Sequence, residues 1–518
     1  MSVVAPSDHF GEPFLEAPEP KTSTGRKLGL VGGLVVLVGL VAGGGAYAFS
    51  LLGGGGPQPE SVMPQATVAF TKVDLDPSAG QKLDALRFAL KFPSAKGQVS
   101  ENSDLGELVF KSLQKDGPLQ GIDFAKDVKP WLGKRVGVGI MPGATKTDPP
   151  VVMVALAVTD QAAAQKTLDT VAGRVGGARC QMVQDYALCT QSAQLARVVK
   201  AVAAGTLADN PNFRADMNRL GETGVASAWV DAGAANALSA GLTGAQSPFR
   251  SFLAKNGMPL GSMNGMAASP VDAKATGRSA VALRFDGANL ELVGHATGMS
   301  QGWAGTVAAS TGLSDLPKGT LAAVGVANPD AQLKAAWPQL ERGFPQARPG
   351  VSLQQTLAPF ERATGLKLPD DLYAALGDQF TVAFGGQGTK NDVKIAAVTT
   401  GDPRVWRKLS ALGGPPAAGG GLVVKQAGAH TVLASSQDYA DEVASGSGLG
   451  SSAPFQAALP AAAQARFAAY LDIAGVVAAF KDQIPAETAS QLAGLSSFGV
   501  TVSGQGTDSD FDLRLITK

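Results

Sequence analysis

Apolar and polar positions alternate with a period of two in short runs along this chain, and stretches at helical spacing separate the runs. Val68 to Leu75 reads as the first strand. Asp76-Pro77 then reads as a helix start, with a side-chain acceptor at the N-cap and Pro at the first helical position. Leu83, Leu86 and Leu90 follow at helical spacing, and Phe92-Pro93 closes the segment. Further on, Arg135 to Ile140 and Val151 to Val158 predict a hairpin, and Asp160 opens a helix. A second hairpin surrounds the polar turn Gln184-Asp185, and Ala226 to Asp231 is a strand. A closing hairpin turns at Asp286-Gly287. The pattern is α+β with mainly antiparallel sheets.

The same order recurs downstream. Shifted by 252 residues, Asp76-Pro77, Lys82 and Phe92-Pro93 fall on Asn328-Pro329, Lys334 and Phe344-Pro345. At 244, Gly121, Asp127, Leu132 and Gly133 meet Gly365, Asp371, Leu376 and Gly377. At 242, Asp160, Lys166 and Phe213 meet Asp402, Lys408 and Phe455; at 241, Asp231 meets Asp472. The offset falls steadily, as it does when a second copy loses a few loop residues. Two tandem related lobes are expected, at 66–298 and 318–518, with a connector at 299–317.

One run obeys neither period. Leu28 to Leu52 carries no charge, and thirteen of its residues are Leu, Val or Phe. As a helix it reaches roughly 37 Å, against about 30 Å for a hydrocarbon core. The expectation is one N-terminal transmembrane helix at 28–52. A disordered cytoplasmic tail, 1–27, precedes it, and a Gly/Pro linker, 53–65, follows. Lys21, Arg26 and Lys27 put the N-terminus in the cytoplasm and the body outside. Ala46-Tyr47-Ala48 has the form of a cleavage site, but the long apolar run favours an uncleaved anchor. Gly29/Gly33 and Gly39/Gly43 have the spacing of helix–helix packing motifs in membranes.

The stretch opening the body resembles a bacterial family of domains of unknown function, number thirty-three fifty-two, common in actinobacterial single-pass membrane proteins. Val73 to Pro77, Gly80-Gln81-Lys82, Leu86-Arg87-Phe88 and Lys91-Phe92-Pro93 carry the likeness. The resemblance implies the topology and supplies no activity and no catalytic residue.

Composition adds limits. With 45% hydrophobic and 17% charged residues the body is folded protein, long enough for about two to three domains. Forty-three basic residues balance forty-three acidic ones, so no field steers the chain to nucleic acid. The two cysteines, Cys180 and Cys189, flank the second hairpin, where a cross-strand disulfide fits if the body lies in an oxidising compartment.

Catalytic signals are sparse. His9, His295 and His430 have no metal-ligand spacing, and no cofactor or metal is implied. Ser112 and Lys115 match a Ser-x-x-Lys pattern without its partner motifs, and a helical surface explains them better. Asp74 and Asp76 fall short of a calcium site, and Asp231 and Asp472 read as caps. The sequence reading is a single-pass protein of the cell envelope whose extracytoplasmic ectodomain binds or scaffolds without catalysis. Its partner would be an envelope protein or a lipid. A carrier of an apolar ligand and an envelope hydrolase are the alternatives.

Overall fold

The computed structural model describes residues 57–93, 107, 110, 121–145, 148–175, 177–233, 277–298, 309–347, 350–387, 393–411, 422–446 and 448–518. The strands of the first half (57–298) are β1 Ala69–Asp74, β2 Leu132–Met141, β3 Val151–Val158, β4 Ala178–Val183, β5 Tyr186–Gln191, β6 Ala226–Asp231, β7 Arg278–Asp286 and β8 Asn289–Thr297. Those of the second half (309–518) are β9 Ala322–Ala327, β10 Gln379–Gln387, β11 Val393–Thr399, β12 Val423–Ala427, β13 His430–Ala434, β14 Phe467–Asp472, β15 Leu495–Gln505 and β16 Asp508–Thr517. Tight turns close the hairpins, with Gly287, Gly428 and Gly506 at positive φ, where a side chain is disfavoured.

All sixteen strands among the described residues form one sheet, in the order β12-β13-β11-β10-β9-β14-β15-β16-β8-β7-β6-β1-β2-β3-β5-β4. Read outward from the middle, each half repeats one order: β8-β7-β6-β1-β2-β3-β5-β4 and β16-β15-β14-β9-β10-β11-β13-β12. The halves meet where β8 pairs antiparallel with β16, from Thr297 opposite Asp508 to Leu290 opposite Leu515. The two related halves thus share one continuous sheet.

Four expectations are corrected. Among the described residues no helix is long and apolar enough to cross a membrane. The longest of them, Pro329–Ala347, carries Asp330, Lys334, Glu341 and Arg342. The described residues are thus α+β on one large antiparallel sheet with no membrane-spanning helix among them; residues 28–52, where one was expected, with Gly29, Gly33, Gly39 and Gly43, lie outside the described residues. The end of the expected linker is packed rather than free. Pro59–Val62 forms a 3-10 turn, and Val62 and Met63 are fully buried. Leu313 and Leu316, expected in a connector, are buried in the same way in the second half. Asp76 does not cap the first helix: α1 is Ala79–Ala89, and Ser78 Oγ accepts from the Gln81 amide.

Helices lie on both faces. In the first half these are α1, α2 Gln161–Val175, α3 Ser192–Ala204 and α4 Pro211–Leu220. The second half has α5 Pro329–Ala347, α6 Leu353–Thr364, α7 Asp370–Leu376, α8 Pro403–Ala411, α9 Gln437–Ser445, α10 Ala453–Ala458, α11 Ile473–Ala479 and α12 Ala486–Leu492. One face carries the two main cores. In the first, α3 and α4 bury Val198, Val202, Phe213 and Met217 against Phe70, Met153, Leu188 and Trp229. In the second, α9 and α10 bury Tyr439, Val443 and Phe455 against Ala383, Ala396, Ala468 and Tyr470. Corresponding aromatic pairs anchor them, Phe213 on Trp229 with ring centres 5.5 Å apart and Phe455 on Tyr470 at 5.2 Å. The other face carries smaller clusters: α2 with Phe124 and Trp131 over β3 and β5, α1 over β7, and α7 with α8 at Leu366, Ala375 and Val405.

Candidate functional site: an open sheet face

Register places one unbroken row of apolar residues across all sixteen strands on this second face. From β4 to β12 it reads Met182, Ala187, Leu156, Val136, Val73, Ala226, Leu283, Leu292, Leu513, Val500, Ala469, Val324, Val382, Ala397, Leu433 and Val424. Over the first half the row runs beneath helices; Leu283 is buried with Ala85 and Phe88 of α1. Over the second half it comes into the open. Val324 and Val382, directly opposite each other, are 44% and 41% exposed, and Ile395 on the next strand is 40% exposed. Two aromatic stacks frame Val382 along β10: Phe380 on Trp406 of α8, and Phe384 on Phe480 just past α11.

The helical arm after β9 adds to this surface. Its helices α5 and α6 pack on each other and α5 on α7, and α6 has no buried residue. Leu340, Val351 and Phe360 of the arm are 48%, 40% and 44% exposed. Large apolar groups thus gather on the second half's strands and arm, beyond the single scattered side chains usual on a soluble surface.

The seam between the halves borders the row on the opposite face. Across it Glu291 faces Arg514, Val293 faces Asp512, and His295 faces Asp510. Superposing the two hairpin turns puts Glu291 on Asp510 and His295 on Arg514, so each half offers an acid and, four residues on, a nitrogen donor. Glu291 is 2% exposed and takes Arg284 and Arg514 as partners. Asp510 accepts from His295 Nδ1 at 2.8 Å and from Arg219 Nη2 at 2.9 Å. Burial works against the Asp510 carboxylate, but these two partners win and hold its pKa below the ordinary range. Asp512, at the centre, accepts from Arg514 Nε at 3.0 Å. Burial pushes its carboxyl up, Arg514 opposes this, and Glu291 adds to it. Of these groups His295, Asp510 and Asp512 line a cavity of about 260 Å³, together with Arg219, Arg284 and Thr501.

Cys180 and Cys189 face each other in the β4–β5 ladder and are joined by a disulfide. His295 and His430 stand in different halves, on β8 and β13, and are not brought together. Asp74 pairs with Arg135, and Asp76 with Lys82 and Lys134. Asp472 caps α11, accepting from the Gly475 amide at 2.8 Å. His9, Ser112 and Lys115 lie outside the described residues. Among the described residues no group of three or more His, Cys, Asp or Glu is set to hold a metal ion. The open face itself was not readable in advance. On β9 and β10 the large residues, Val324, Val326, Phe380, Val382 and Phe384, point to the open side. The small ones, Ala323, Gly325, Thr381 and Ala383, point to the core. Side-chain size alone predicts the reverse.

The match of a family model of proteins of unknown function to residues 30–410 covers more than half of the chain. The chain belongs to the DUF3352 family. The DUF3352 match runs through the first half, across the β8–β9 boundary and as far as α8, so it embraces strands of both halves. No curated protein and no solved structure matches the chain.

Proposed function

We propose that this protein is a non-catalytic binding protein of an extracytoplasmic compartment, and that it holds an apolar surface of a protein partner against the open sheet face of its second half. The observation that carries the reading is the exposed, directly paired Val324 and Val382 within a row apolar from edge to edge. Water against such a row is unfavourable by about 25 cal/mol per Å², and docking removes it. The helical arm, with Leu340 and Phe360 exposed, supplies a second apolar surface in the same half. The Cys180–Cys189 disulfide supports the compartment, since such bonds persist where the environment is oxidising.

The test is crosslinking and affinity capture of the full chain from its own cells, compared with a Val324→Lys/Val382→Lys variant. Both sites are solvent-exposed, so the variant keeps its circular dichroism and melting temperature. Recovery of the crosslinked partner falls at least tenfold. Equal recovery from both proteins ends the proposal. Lipid co-purifying with the wild type and lost from the variant transfers the face to an apolar small ligand instead.

A further inference from the structure

On the helix-covered face of the first half, the register of β1, β2 and β6 brings Lys72, Asp74, Arg135 and Ser227 together. Lys72 and Arg135 are buried, at 9% and 5% exposure. Lys72 Nζ donates to Gln58 Oε1 and Glu60 Oε1, each at 3.1 Å. Arg135 Nε donates to Asp74 Oδ2 at 3.2 Å. That is the guanidinium's one hydrogen bond among the described residues, and it leaves both terminal amino groups of a five-donor fork to other partners. Ser227 is 3% exposed, and its Oγ has no partner among the described residues. Arg135 and Ser227 both line a cavity of about 150 Å³ whose wall also holds Ser78 and Glu222.

The second half shows that the fold does not need this cluster. Matching strand for strand and register for register, Lys72, Asp74, Arg135 and Ser227 correspond to Gly325, Ala327, Gln379 and Ala468. None of those is charged. The space is closed instead: a Cβ on Gly325 would lie 2.3 Å from Leu313 Cδ1. Buried ion pairs seldom repay their desolvation, so two buried cations that the sister half omits call for a role outside stability.

We propose that this cleft is a binding site for a small carboxylate, of the size of acetate or lactate. The free edge of Arg135 presents two parallel N–H groups, a fork that fits the two oxygens of a carboxylate. Ser227 Oγ donates to one of those oxygens. Glu60 and Asp74 already balance the two cations, so a monoanion is held by the directed N–H and O–H donors rather than by net charge, and Glu222 in the wall disfavours a phosphate dianion. At roughly 30 Å³ per water, the cavity holds the volume of about five waters, which sets the size limit. The site is independent of the open sheet face.

Titration calorimetry of the folded protein with lactate, acetate and inorganic phosphate tests it. Lactate and acetate bind with millimolar or tighter Kd, and phosphate binds at least tenfold more weakly. The variant D74A/R135Q installs the second half's own residues, keeps the wild-type circular dichroism and loses carboxylate binding at least tenfold. Should that variant unfold, S227A decides the matter, because it disturbs no ion pair and weakens binding three- to tenfold. Absence of carboxylate binding to the wild type, unchanged affinity in a folded D74A/R135Q or in S227A, or a preference for phosphate overturns the proposal.

Discussion

Lys82 sits on α1 with its side chain 2% exposed, and its ammonium is held by Asp76, which also takes Lys134. Burial alone would raise the Asp76 pKa, but hydrogen bonds from Lys134 and Lys82 outweigh it and hold the carboxyl low. The sequence shows an Asp before a Pro and suggests a helix cap, because capping is a local property. The partner that matters lies six residues on, and pairing with it requires the helix to start at Ser78 instead. Asp76→Asn leaves the Lys82 charge buried without its counter-ion. A loss of about 3–5 kcal/mol in urea unfolding at neutral pH is expected. A loss below about 1 kcal/mol would show that Lys82 reaches water.

Elements were legible where their signals are local. The β4–β5 hairpin follows from alternation around Gln184-Asp185, with Gln184 at a φ of 53° in the turn. The 3-10 turn at Pro59–Val62 was not, because four glycines and a run of prolines mask two residues, Val62 and Met63, that fill the first core. The hairpin's disulfide sits on β4, the outermost strand of the sheet among the described residues. Cys180→Ala/Cys189→Ala opens a loop of roughly ten residues and should cost about 2–3 kcal/mol by chain entropy. Equilibrium denaturation of the oxidised protein and the variant measures this, and identical midpoints would show that the edge is held by packing alone.

At the scale of the molecule the two halves share one sheet, and their joint is ionic. Nothing local announces it: His295 and Asp510 are 215 residues apart, and each reads as an ordinary strand residue. The offset matches reveal two related runs but not that their last strands pair, since edge pairing leaves no mark in either run. Asp512 tests the joint. Its folded-state pKa lies above the unfolded one, so the native state prefers the proton. The resulting penalty is absent below the ordinary carboxylate value of about 3.9 and complete above the raised one. Asp512→Asn keeps an oxygen acceptor for Arg514 and removes the charge. Its stability should exceed that of the wild type at pH 7, and the gain should vanish near pH 3. A gain of equal size at both pH values, or a loss at pH 7, contradicts this account of the seam.

The β8–β16 pairing also sets a timetable. Of the sixteen strands, β16 leaves the ribosome last, yet its place is in the middle of the sheet, between β8 and β15. Until it arrives, both of those strands present bare edges, and the first half waits, largely assembled, through the synthesis of more than two hundred residues. At about 5–20 residues per second that is a wait of roughly ten to forty seconds. Through that interval the β8 edge is a template on which any other strand can pair.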